Sequence, residues 1–213
     1  MYNADTGNHN PLSGKCILFL GSSVTYGSAS GGVSFADFIS ERNGARMHKE
    51  AVSGTTLVDG KNSYIERLKK TDPAVSPDLV VCQLSTNDAT QNKPLGIPAP
   101  TDAPDTATVC GAIICIIRYV RAVWGCPVVF YTNAYYESAR YAEMVSAMQT
   151  LARLYGVGLI DLYCDTAFNA IGDAERALYM ADPIHPTREG YLQWWTPKME
   201  EYLFAYFDMK NKI

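Results

Sequence analysis

The chain has 213 residues, of which 47% are hydrophobic, and its formal net charge at pH 7 is −4, with no basic run longer than Lys69-Lys70. This length and apolar content suffice for one domain with a substantial core, so residues 1–213 are interpreted as a single domain. The acidic balance and the lack of a basic cluster argue against a nucleic-acid or anionic-membrane surface and favour a small or neutral ligand.

The first 14 residues, MYNADTGNHNPLSG, are polar and predict an extended N-terminal segment. They lack the basic and then apolar pattern of a secretory signal. The longest apolar stretch, residues 109–123, contains Arg118 and Arg121 and is shorter than the roughly 20 residues that cross a bilayer. We therefore predict a cytoplasmic protein with no membrane span. The six cysteines show no metal-ligand or paired spacing, so they predict small buried hydrophobic residues and no metal site.

Five short segments predict β-strands, each bounded by turn-forming residues. Four of them are apolar, and the second along the chain is more polar. They lie at residues 16–20, 45–52, 79–84, 128–131 and 158–162. Helical periods fall between them, at about residues 33–43, 64–70, 108–124 and 142–155, and a final helix carries Tyr191, Leu192, Trp194 and Trp195. This alternation predicts a three-layer α/β/α sandwich around a parallel sheet of about five strands, joined by right-handed crossovers.

Small and polar residues follow the first three predicted strands. Ser23 comes after the first strand, Gly54 after the second and Asn87 after the third. Because the carboxyl ends of parallel strands meet at one edge of a sheet, these residues are expected to lie close together. At this edge Ser23 is predicted to act as a nucleophile. The predicted donors to an oxyanion are the N–H of Ser23, the N–H of Gly54 and the amide of Asn87.

Each of these residues also has a structural interpretation. An isolated serine such as Ser23 more often caps a helix. Asn87 and Asp88 are typical of a turn held by a side-chain hydrogen bond, and Asp88 is expected to be structural. Gly54 is suited to a positive φ angle. The functional interpretation therefore depends on finding these groups together with a base and an acid.

One of the three histidines has an acid at a suitable distance along the chain. His9 lies in the polar N-terminal segment, and His48 has no acid partner at a telling spacing. His185 follows Asp182 by three residues in a turn that two prolines stiffen. This spacing allows the carboxylate to reach Nδ1 while Nε2 faces a serine hydroxyl.

In order along the chain, residues 21–27 (GSSVTYG), Gly54, Asn87-Asp88 and residues 182–186 (DPIHP) resemble the successive blocks of the SGNH, or GDSL-like, hydrolases. The resemblance spans about residues 16–200 and implies a flavodoxin-like fold. It also implies a serine esterase or acylhydrolase that cleaves a small ester through an acyl-enzyme, without a cofactor.

Position by position, the resemblance implies a triad of Ser23, Asp182 and His185, with Ser23, Gly54 and Asn87 as the oxyanion-hole donors. The chain departs from the family pattern in three places: Ser22 replaces the usual aspartate, Lys49 a usual asparagine, and Ser85 a usual glycine. Two adjacent serines therefore compete as the nucleophile, and the Val-Thr-x-Gly pattern that follows favours Ser23 over Ser22.

Substrate recognition is less defined by the sequence. Tyr26, Tyr135 and Tyr136 are possible pocket residues, and the Pro-rich stretch 89–106 is expected to form a wall or flap of the site. The expected partner is a small ester. The sequence does not distinguish among four substrate classes: an acylated carbohydrate, a lysophospholipid, a short-chain acyl ester and a thioester. The sequence also leaves open an inactive binding module with the same fold, and any oligomeric state. A nucleotide-binding role is disfavoured, since the P-loop and GxGxxG patterns are absent.

Overall fold

The computed structural model of the protein describes residues 10–210. His9 and most of the predicted extended N-terminal segment therefore lie outside the described residues. Residues 11–14 of that segment are not extended; they form a turn in which the Ser13 N–H donates to the Asn10 carbonyl at 3.1 Å, and the Gly14 N–H joins this turn to the Gly44 carbonyl at 3.0 Å.

Five strands form one parallel sheet in the order β2-β1-β3-β4-β5. Their bounds are β1 Cys16–Gly21, β2 Arg46–Ala51, β3 Leu79–Gln83, β4 Val128–Tyr131 and β5 Gly158–Ile160. The parallel sheet predicted from the apolar runs is confirmed. Because β1 lies between β2 and β3, the direction in which strands are added reverses beside β1, and a crevice forms at such a switch point in this type of sheet.

Helices connect the strands and follow the last one. Their bounds are α1 Ser23–Tyr26, α2 Phe35–Asn43, α3 Tyr64–Lys70, α4 Thr86–Thr90, α5 Val109–Val123, α6 Ala139–Tyr155, α7 Thr166–Asn169, α8 Asp173–Tyr179, α9 Arg188–Gly190 and α10 Thr196–Lys210. The longer helices agree with the apolar periods. The sequence did not predict α4, α7, α8 and α9. Helices α4, α7 and α9 have five residues or fewer, and α8 has no buried residue that would mark an apolar face. Helix α6 begins earlier than expected, since Ser138 caps it by accepting from the Tyr141 N–H at 3.2 Å.

The two faces of the sheet carry separate cores, as a three-layer sandwich requires. In β1, Leu18 and Leu20 face one side, where α3, α5 and α6 pack, while Ile17 and Phe19 face the other, where α2 and the C-terminal helices pack. Side chains of β3 and β4 alternate in the same way. The near-continuous apolar runs in these strands thus follow from burial on both faces.

The C-terminal segment is not the single helix that the sequence predicted. A π-helix, Tyr191–Trp195, separates α9 from α10. Trp194 and Trp195 are buried in the core, and the Tyr191 hydroxyl donates to the Val24 carbonyl at 2.7 Å. The π-helix therefore carries the residue that connects the C-terminal helices to the turn after β1.

The Pro-rich stretch 89–106 is fastened to helices. The Val109 N–H donates to the Pro94 carbonyl at 2.9 Å, the Thr101 N–H donates to the Tyr155 hydroxyl at 3.3 Å, and Arg118 donates to Asp102 at 2.9 Å. These contacts hold residues 94–106 against α5 and α6, and the wall or flap expected from the sequence stays a prediction.

The cysteine prediction is correct in part. Cys16, Cys82, Cys110 and Cys126 are buried, but Cys115 is half-buried and Cys164 is exposed, so the prediction of burial is wrong for these two. None of the helices within residues 10–210 has the length and apolar character needed to cross a membrane.

Candidate active site

Ser23, His185 and Asp182 form a continuous row of hydrogen bonds. The Nε2 atom of His185 lies 2.8 Å from Ser23 Oγ, and its Nδ1 atom lies 2.7 Å from Asp182 Oδ2. When Nδ1–H donates to the carboxylate, Nε2 is left as the acceptor of the serine hydroxyl. Ser23 is 7% exposed. The structure thus joins residues that are 162 positions apart in the sequence.

The carboxylate of Asp182 also organises its own turn. Its Oδ1 accepts from the backbone N–H groups of Ile184 at 2.7 Å and of His185 at 2.8 Å. Partial burial acts to raise the pKa of Asp182, but these backbone bonds and the bond from the His185 ring outweigh it and hold the pKa below its ordinary value. The Ala181 N–H closes the turn by donating to the His185 carbonyl at 2.9 Å. The turn therefore presents an ionised acid to the imidazole.

The adjacent serine, Ser22, faces away from this row. It is completely buried, and its N–H donates to Gln83 Oε1 at 2.9 Å while its hydroxyl lies 3.4 Å from the same oxygen. Only Ser23 contacts the imidazole among these two. The geometry therefore favours Ser23 over Ser22 as the nucleophile.

Gln83, which the sequence analysis missed, holds the turn that carries Ser23. Its Oε1 accepts from the Ser22 N–H, from the Thr25 N–H at 3.3 Å and from the Thr25 hydroxyl at 2.9 Å. The Tyr131 hydroxyl lies 2.7 Å from Thr25 Oγ1 and extends the network into β4. Because the two backbone groups can only donate, the atom that they face is the oxygen of the amide. A polar residue at the end of the apolar run of β3 was the available signal.

We expect Gln83→Leu to destabilise the protein by about 2–3 kcal/mol, because it leaves buried donors of Ser22 and Thr25 without an acceptor. Urea unfolding measures this change. The exposed Gln91 provides the matched control, since Gln91→Leu removes an amide that accepts no buried donor and should shift stability by no more than ~0.5 kcal/mol. Equal stabilities of the two variants would contradict the role of Gln83.

Two glycines allow this turn to be tight. A Cβ on Gly21 would overlap the side chain of Thr25. Gly27 ends α1 with φ +88°, and a Cβ there would overlap the backbone of Val33. Both positions need glycine because the backbone approaches its neighbours closely, and Gly27 also needs the left-handed conformation.

The three predicted oxyanion-hole residues follow the ends of neighbouring strands. Gly54 follows β2 and Asn87 lies in α4 after β3, so they flank Ser23, which follows the central β1. Asn87 Nδ2 donates to the Thr55 carbonyl at 2.9 Å, which ties Asn87 to the loop that carries Gly54. An asparagine amide has two N–H groups, so one remains for a ligand. Within the described residues, the N–H groups of Ser23 and Gly54 have no acceptor. Gly54 also has φ +80°, so the structural reason for glycine applies as well.

Arg67 and Asp88 support the same edge of the sheet. The guanidinium of Arg67 donates to the Gly21 carbonyl at 2.7 Å, to the Glu50 carbonyl and to Thr55 Oγ1 at 3.2 Å, which joins the ends of β1 and β2. Asp88 accepts from two backbone N–H groups, of Leu57 at 2.7 Å and Val58 at 3.0 Å. Burial raises the pKa of Asp88 above its ordinary value in spite of these bonds. The predicted structural role of Asp88 agrees with this position, whereas Arg67 was missed.

Tyr135 and Tyr136 line an open cleft of about 700 Å³ beside the triad. Asp182 forms part of its wall, and the full lining is Tyr135, Tyr136, Glu137, Asp173, Arg176, Ala177, Met180, Asp182 and Pro183. No lining residue comes from the stretch 89–106. The third predicted pocket aromatic, Tyr26, lies elsewhere: it ends α1 and contacts Lys49, which sits 5.9 Å from its ring centroid.

Two polar residues of β2, His48 and Lys49, contact carboxylates. His48 Nε2 lies 3.0 Å from Glu50 Oε1, so the expectation that His48 lacks an acid partner is wrong; residues two apart on a strand share one face. Lys49 pairs with Asp37 at 2.6 Å. Among the residues that the structure describes, no group of three or more His, Cys, Asp or Glu side chains is arranged to hold a metal ion.

Comparisons with known proteins agree on one family and one fold. The model of the GDSL-like Lipase/Acylhydrolase family matches residues 19–192. A solved structure from Lactobacillus plantarum is 21% identical, with a TM-score of 0.75 over 92% of this chain and 98% of that one. A Bacteroides ovatus structure named as a GDSL-like lipase is 16% identical, with a TM-score of 0.65 over 90% and 98% of the two chains.

A third solved structure, an acetyl xylan esterase, is 19% identical, with a TM-score of 0.67 over 87% of this chain and 98% of that one. At these identities the likeness to solved structures establishes the fold alone. Among curated proteins, none matches the chain significantly in sequence.

Proposed function

Because the chain belongs to the GDSL-like lipase/acylhydrolase family, we propose that it is a serine esterase that cleaves small carboxylic esters through an acyl-enzyme. The row of hydrogen bonds from Ser23 through His185 to Asp182 is the observation that carries this proposal. A hydroxyl, an imidazole and a carboxylate in this order are the parts that nucleophilic acyl transfer requires.

In the first half of the reaction, Ser23 Oγ attacks the ester carbonyl carbon while its proton passes to His185 Nε2. The carbonyl oxygen becomes an oxyanion, which accepts hydrogen bonds from the N–H groups of Ser23 and Gly54 and from the Asn87 amide. When this intermediate collapses, the bond between the carbonyl carbon and the alcohol oxygen breaks. His185 gives its proton to the departing alcohol, and the acyl group stays on Ser23.

In the second half, water replaces the alcohol. It gives a proton to His185 Nε2 and attacks the acyl carbon, and the same three donors stabilise the second oxyanion. Collapse releases the carboxylic acid, and the proton on the imidazole returns to Ser23 Oγ. Throughout, Asp182 remains ionised and holds Nδ1–H, which keeps Nε2 available for both proton transfers.

Labelling with a fluorophosphonate, together with hydrolysis of p-nitrophenyl acetate, tests the proposal. We expect covalent labelling at Ser23, detected by mass spectrometry of the modified peptide. We also expect the unlabelled protein to hydrolyse the ester and the labelled protein to be inactive. One structural neighbour is an acetyl xylan esterase, which makes acetyl esters the first substrates to test. A chain that neither labels nor hydrolyses short esters would instead be an inactive binding module.

Replacing Asn87 tests the oxyanion hole. We expect Asn87→Ala to lower kcat for p-nitrophenyl acetate by about 100- to 1000-fold, the usual effect of losing one oxyanion donor. KM should change little, because the donor acts mainly on charge that develops in the transition state. Asn87→Asp is the matched variant of similar size: it replaces the donor by a negative charge and should be at least as slow. Near wild-type turnover in Asn87→Ala would remove Asn87 from the proposed oxyanion hole.

A further inference from the structure

The turn that carries His185 has few hydrogen bonds to the rest of the protein. Bonds within the turn give it its shape but do not fix where it lies relative to Ser23. The side chains of Asp182 and His185 are 47% and 25% exposed, so packing holds them only in part. Among the described residues, only Ser23 and Asn133 come from a distant part of the chain to bond with residues 182–186. Asn133 thus attaches the turn independently of the nucleophile.

Asn133 reaches this turn from the carboxyl end of the fourth strand. It follows β4, which ends at Tyr131, and it is 1% exposed. Its Nδ2 atom donates to the carbonyl oxygen of Ile184 at 3.3 Å, a bond between residues 51 positions apart. This bond connects the edge of the sheet with the residue that precedes His185.

The peptide group between Ile184 and His185 is held on two sides. Its C=O accepts from Asn133, while its N–H donates to Asp182 Oδ1 at 2.8 Å. The C=O and N–H of a planar trans peptide point in opposite directions, so the two bonds hold the plane from opposite edges. The next peptide group is held as well, because the His185 carbonyl accepts from the Ala181 N–H at 2.9 Å. With both planes held, the direction of the His185 Cα–Cβ bond is fixed.

Asn133 is itself held by a buried tyrosine. Its backbone N–H donates to the Tyr141 hydroxyl oxygen at 2.8 Å, and this hydroxyl donates to the Leu84 carbonyl at 3.0 Å. Tyr141 is fully buried on α6, and its ring packs against the rings of Tyr136 and Tyr163. These contacts fix the backbone from which the amide extends, so the donor meets the turn in a defined position.

The amide of Asn133 has one polar atom that no other group satisfies. Its Oδ1 atom is buried and has no hydrogen-bond partner among the described residues. Exchanging the amide oxygen and nitrogen would set two acceptors against each other at Ile184, so the donor must face the turn. A buried acceptor without a partner costs at least as much free energy as one hydrogen bond usually contributes. The amide therefore adds little to stability, and its distinct effect is on the position of the turn.

We propose that Asn133 is a positioning residue: by holding the peptide group before His185, it keeps Nε2 at 2.8 Å from Ser23 Oγ. The inference rests on the proposed esterase function. Proton transfer to a general base needs this hydrogen-bonding distance, and a misplacement of about 1 Å can lower a rate by roughly 100-fold. Asn133 bonds to neither the serine hydroxyl nor the imidazole, so it acts through the backbone of the turn.

Two substitutions remove the donor and keep the backbone N–H that bonds to Tyr141. Asn133→Ala shortens the side chain, whereas Asn133→Leu keeps a branched side chain of similar shape without polar atoms. For each we expect kcat for p-nitrophenyl acetate to fall by about 10- to 100-fold, with KM within about two-fold of the wild-type value. The reason is that the turn still forms, but the imidazole spends less time at Ser23 Oγ.

Asn43→Ala is the matched control, because Asn43 is another buried asparagine with a bonded amide. Asn43 ends α2 and is 7% exposed; its Nδ2 donates to the Ile39 carbonyl at 2.8 Å, and its Oδ1 accepts from Asn10 at 3.0 Å. Urea unfolding should show that Asn43→Ala loses at least as much stability as Asn133→Ala, while its kcat stays at the wild-type value. The inference is overturned if the Asn133 variants fold and keep the wild-type kcat, or if Asn43→Ala lowers kcat equally.

NMR of isotope-labelled histidine separates this inference from the esterase proposal, because it observes the imidazole without turnover. At about pH 8, where a histidine ring is ordinarily neutral, the Nε2 resonance of His185 reports whether the ring accepts from Ser23. Ser23→Ala gives the position of this resonance when the bond is absent. We expect Asn133→Ala to move the resonance toward that position and Asn43→Ala to leave it unchanged.

The two readouts have distinct outcomes. A shifted Nε2 resonance in Asn133→Ala supports the inference even if the wild type hydrolyses no ester, in which case only the esterase proposal fails. A resonance that stays at the wild-type position overturns the inference even if the wild type is an active esterase. If neither Asn133→Ala nor Asn133→Leu folds, Asn133 is a residue of the fold, and the inference is overturned as well.

Discussion

Replacing Ser23 by alanine is expected to lower ester turnover by about 10⁶-fold, the loss seen when a triad enzyme loses its nucleophile. Ser23 Oγ is the hydroxyl that meets His185 Nε2, at 2.8 Å, and alanine leaves nothing to form the acyl-enzyme. Hydrolysis of p-nitrophenyl acetate measures the loss. Circular dichroism and urea unfolding show whether the fold is retained, which we expect because the Oγ atom makes no other hydrogen bond within the described residues.

Ser22→Ala is the matched control, because it removes the same atom from the neighbouring residue. The Ser22 N–H, which gives the shorter bond to Gln83 at 2.9 Å, belongs to the backbone and stays in the variant. The hydroxyl itself contributes a 3.4 Å contact with Gln83 Oε1 and an interaction with the Tyr64 hydroxyl, neither of which involves His185. We therefore expect most of the activity to remain. If Ser22→Ala abolishes turnover while Ser23→Ala keeps it, the nucleophile has been assigned to the wrong serine.

The sequence was sufficient to predict which small and polar residues follow the ends of the strands. A parallel sheet brings the carboxyl ends of its strands to one edge, so polar residues after apolar runs can be assigned to one place without coordinates for the loops. Ser23, Gly54 and Asn87 were predicted in this way, and the structure places them after the ends of the neighbouring strands β1, β2 and β3. His185 needed one more signal, its spacing from Asp182, and the structure places its ring at Ser23.

Other parts of the site depend on packing that no local pattern encodes. Gln83 looks like the end of an apolar strand, and its role arises because Oε1 meets donors of Ser22 and Thr25, about sixty positions earlier. The cleft lined by Tyr135 and Tyr136 requires α8, a helix that has no buried residue and therefore no apolar face to detect in the sequence. The attachment of the stretch 89–106 to α5 and α6 was not predictable for a related reason: its backbone hydrogen bonds join residues of irregular backbone to the helices, and no local pattern marks them.

The structure also shows why a serine suits position 22, where the family usually has an aspartate. The Ser22 side chain is fully buried, and a carboxylate there would face Gln83 Oε1, which already accepts from the N–H groups of Ser22 and Thr25. Two acceptors facing each other in a buried site would be unfavourable. The serine and Gln83 therefore form a compatible pair, in which an amide oxygen on β3 holds the turn before Ser23.

The second large effect is expected for Asp182→Asn, which should lower kcat by about 10³- to 10⁴-fold. The amide oxygen of asparagine can still accept from the N–H groups of Ile184 and His185, so the turn should keep its shape. Its NH₂ group, however, would face His185 Nδ1 and force the ring proton onto Nε2. The imidazole could then no longer accept the proton of Ser23.

The pH dependence separates this loss of tautomer control from a loss of structure. Because hydrogen bonds hold the pKa of Asp182 below its ordinary value, the carboxylate stabilises the folded state above the pKa of an unfolded aspartate, about 3.9. That stabilisation is lost as the pH falls through the lower folded value. The stability difference between wild type and Asp182→Asn should therefore be constant above about pH 5 and shrink in stronger acid. It should also be small, since the side chain is 47% exposed.

The rate difference, by contrast, should remain near its full size from about pH 5 to pH 9, because Asp182 stays ionised throughout this range. Stopped-flow or steady-state hydrolysis of p-nitrophenyl acetate, with urea unfolding at each pH, provides both curves. A variant that keeps near wild-type rates would refute the role of the acid. A variant whose rate falls only in step with its stability would make Asp182 a structural residue of the turn, because a carboxylate that fixes the imidazole must affect turnover where the fold is unchanged.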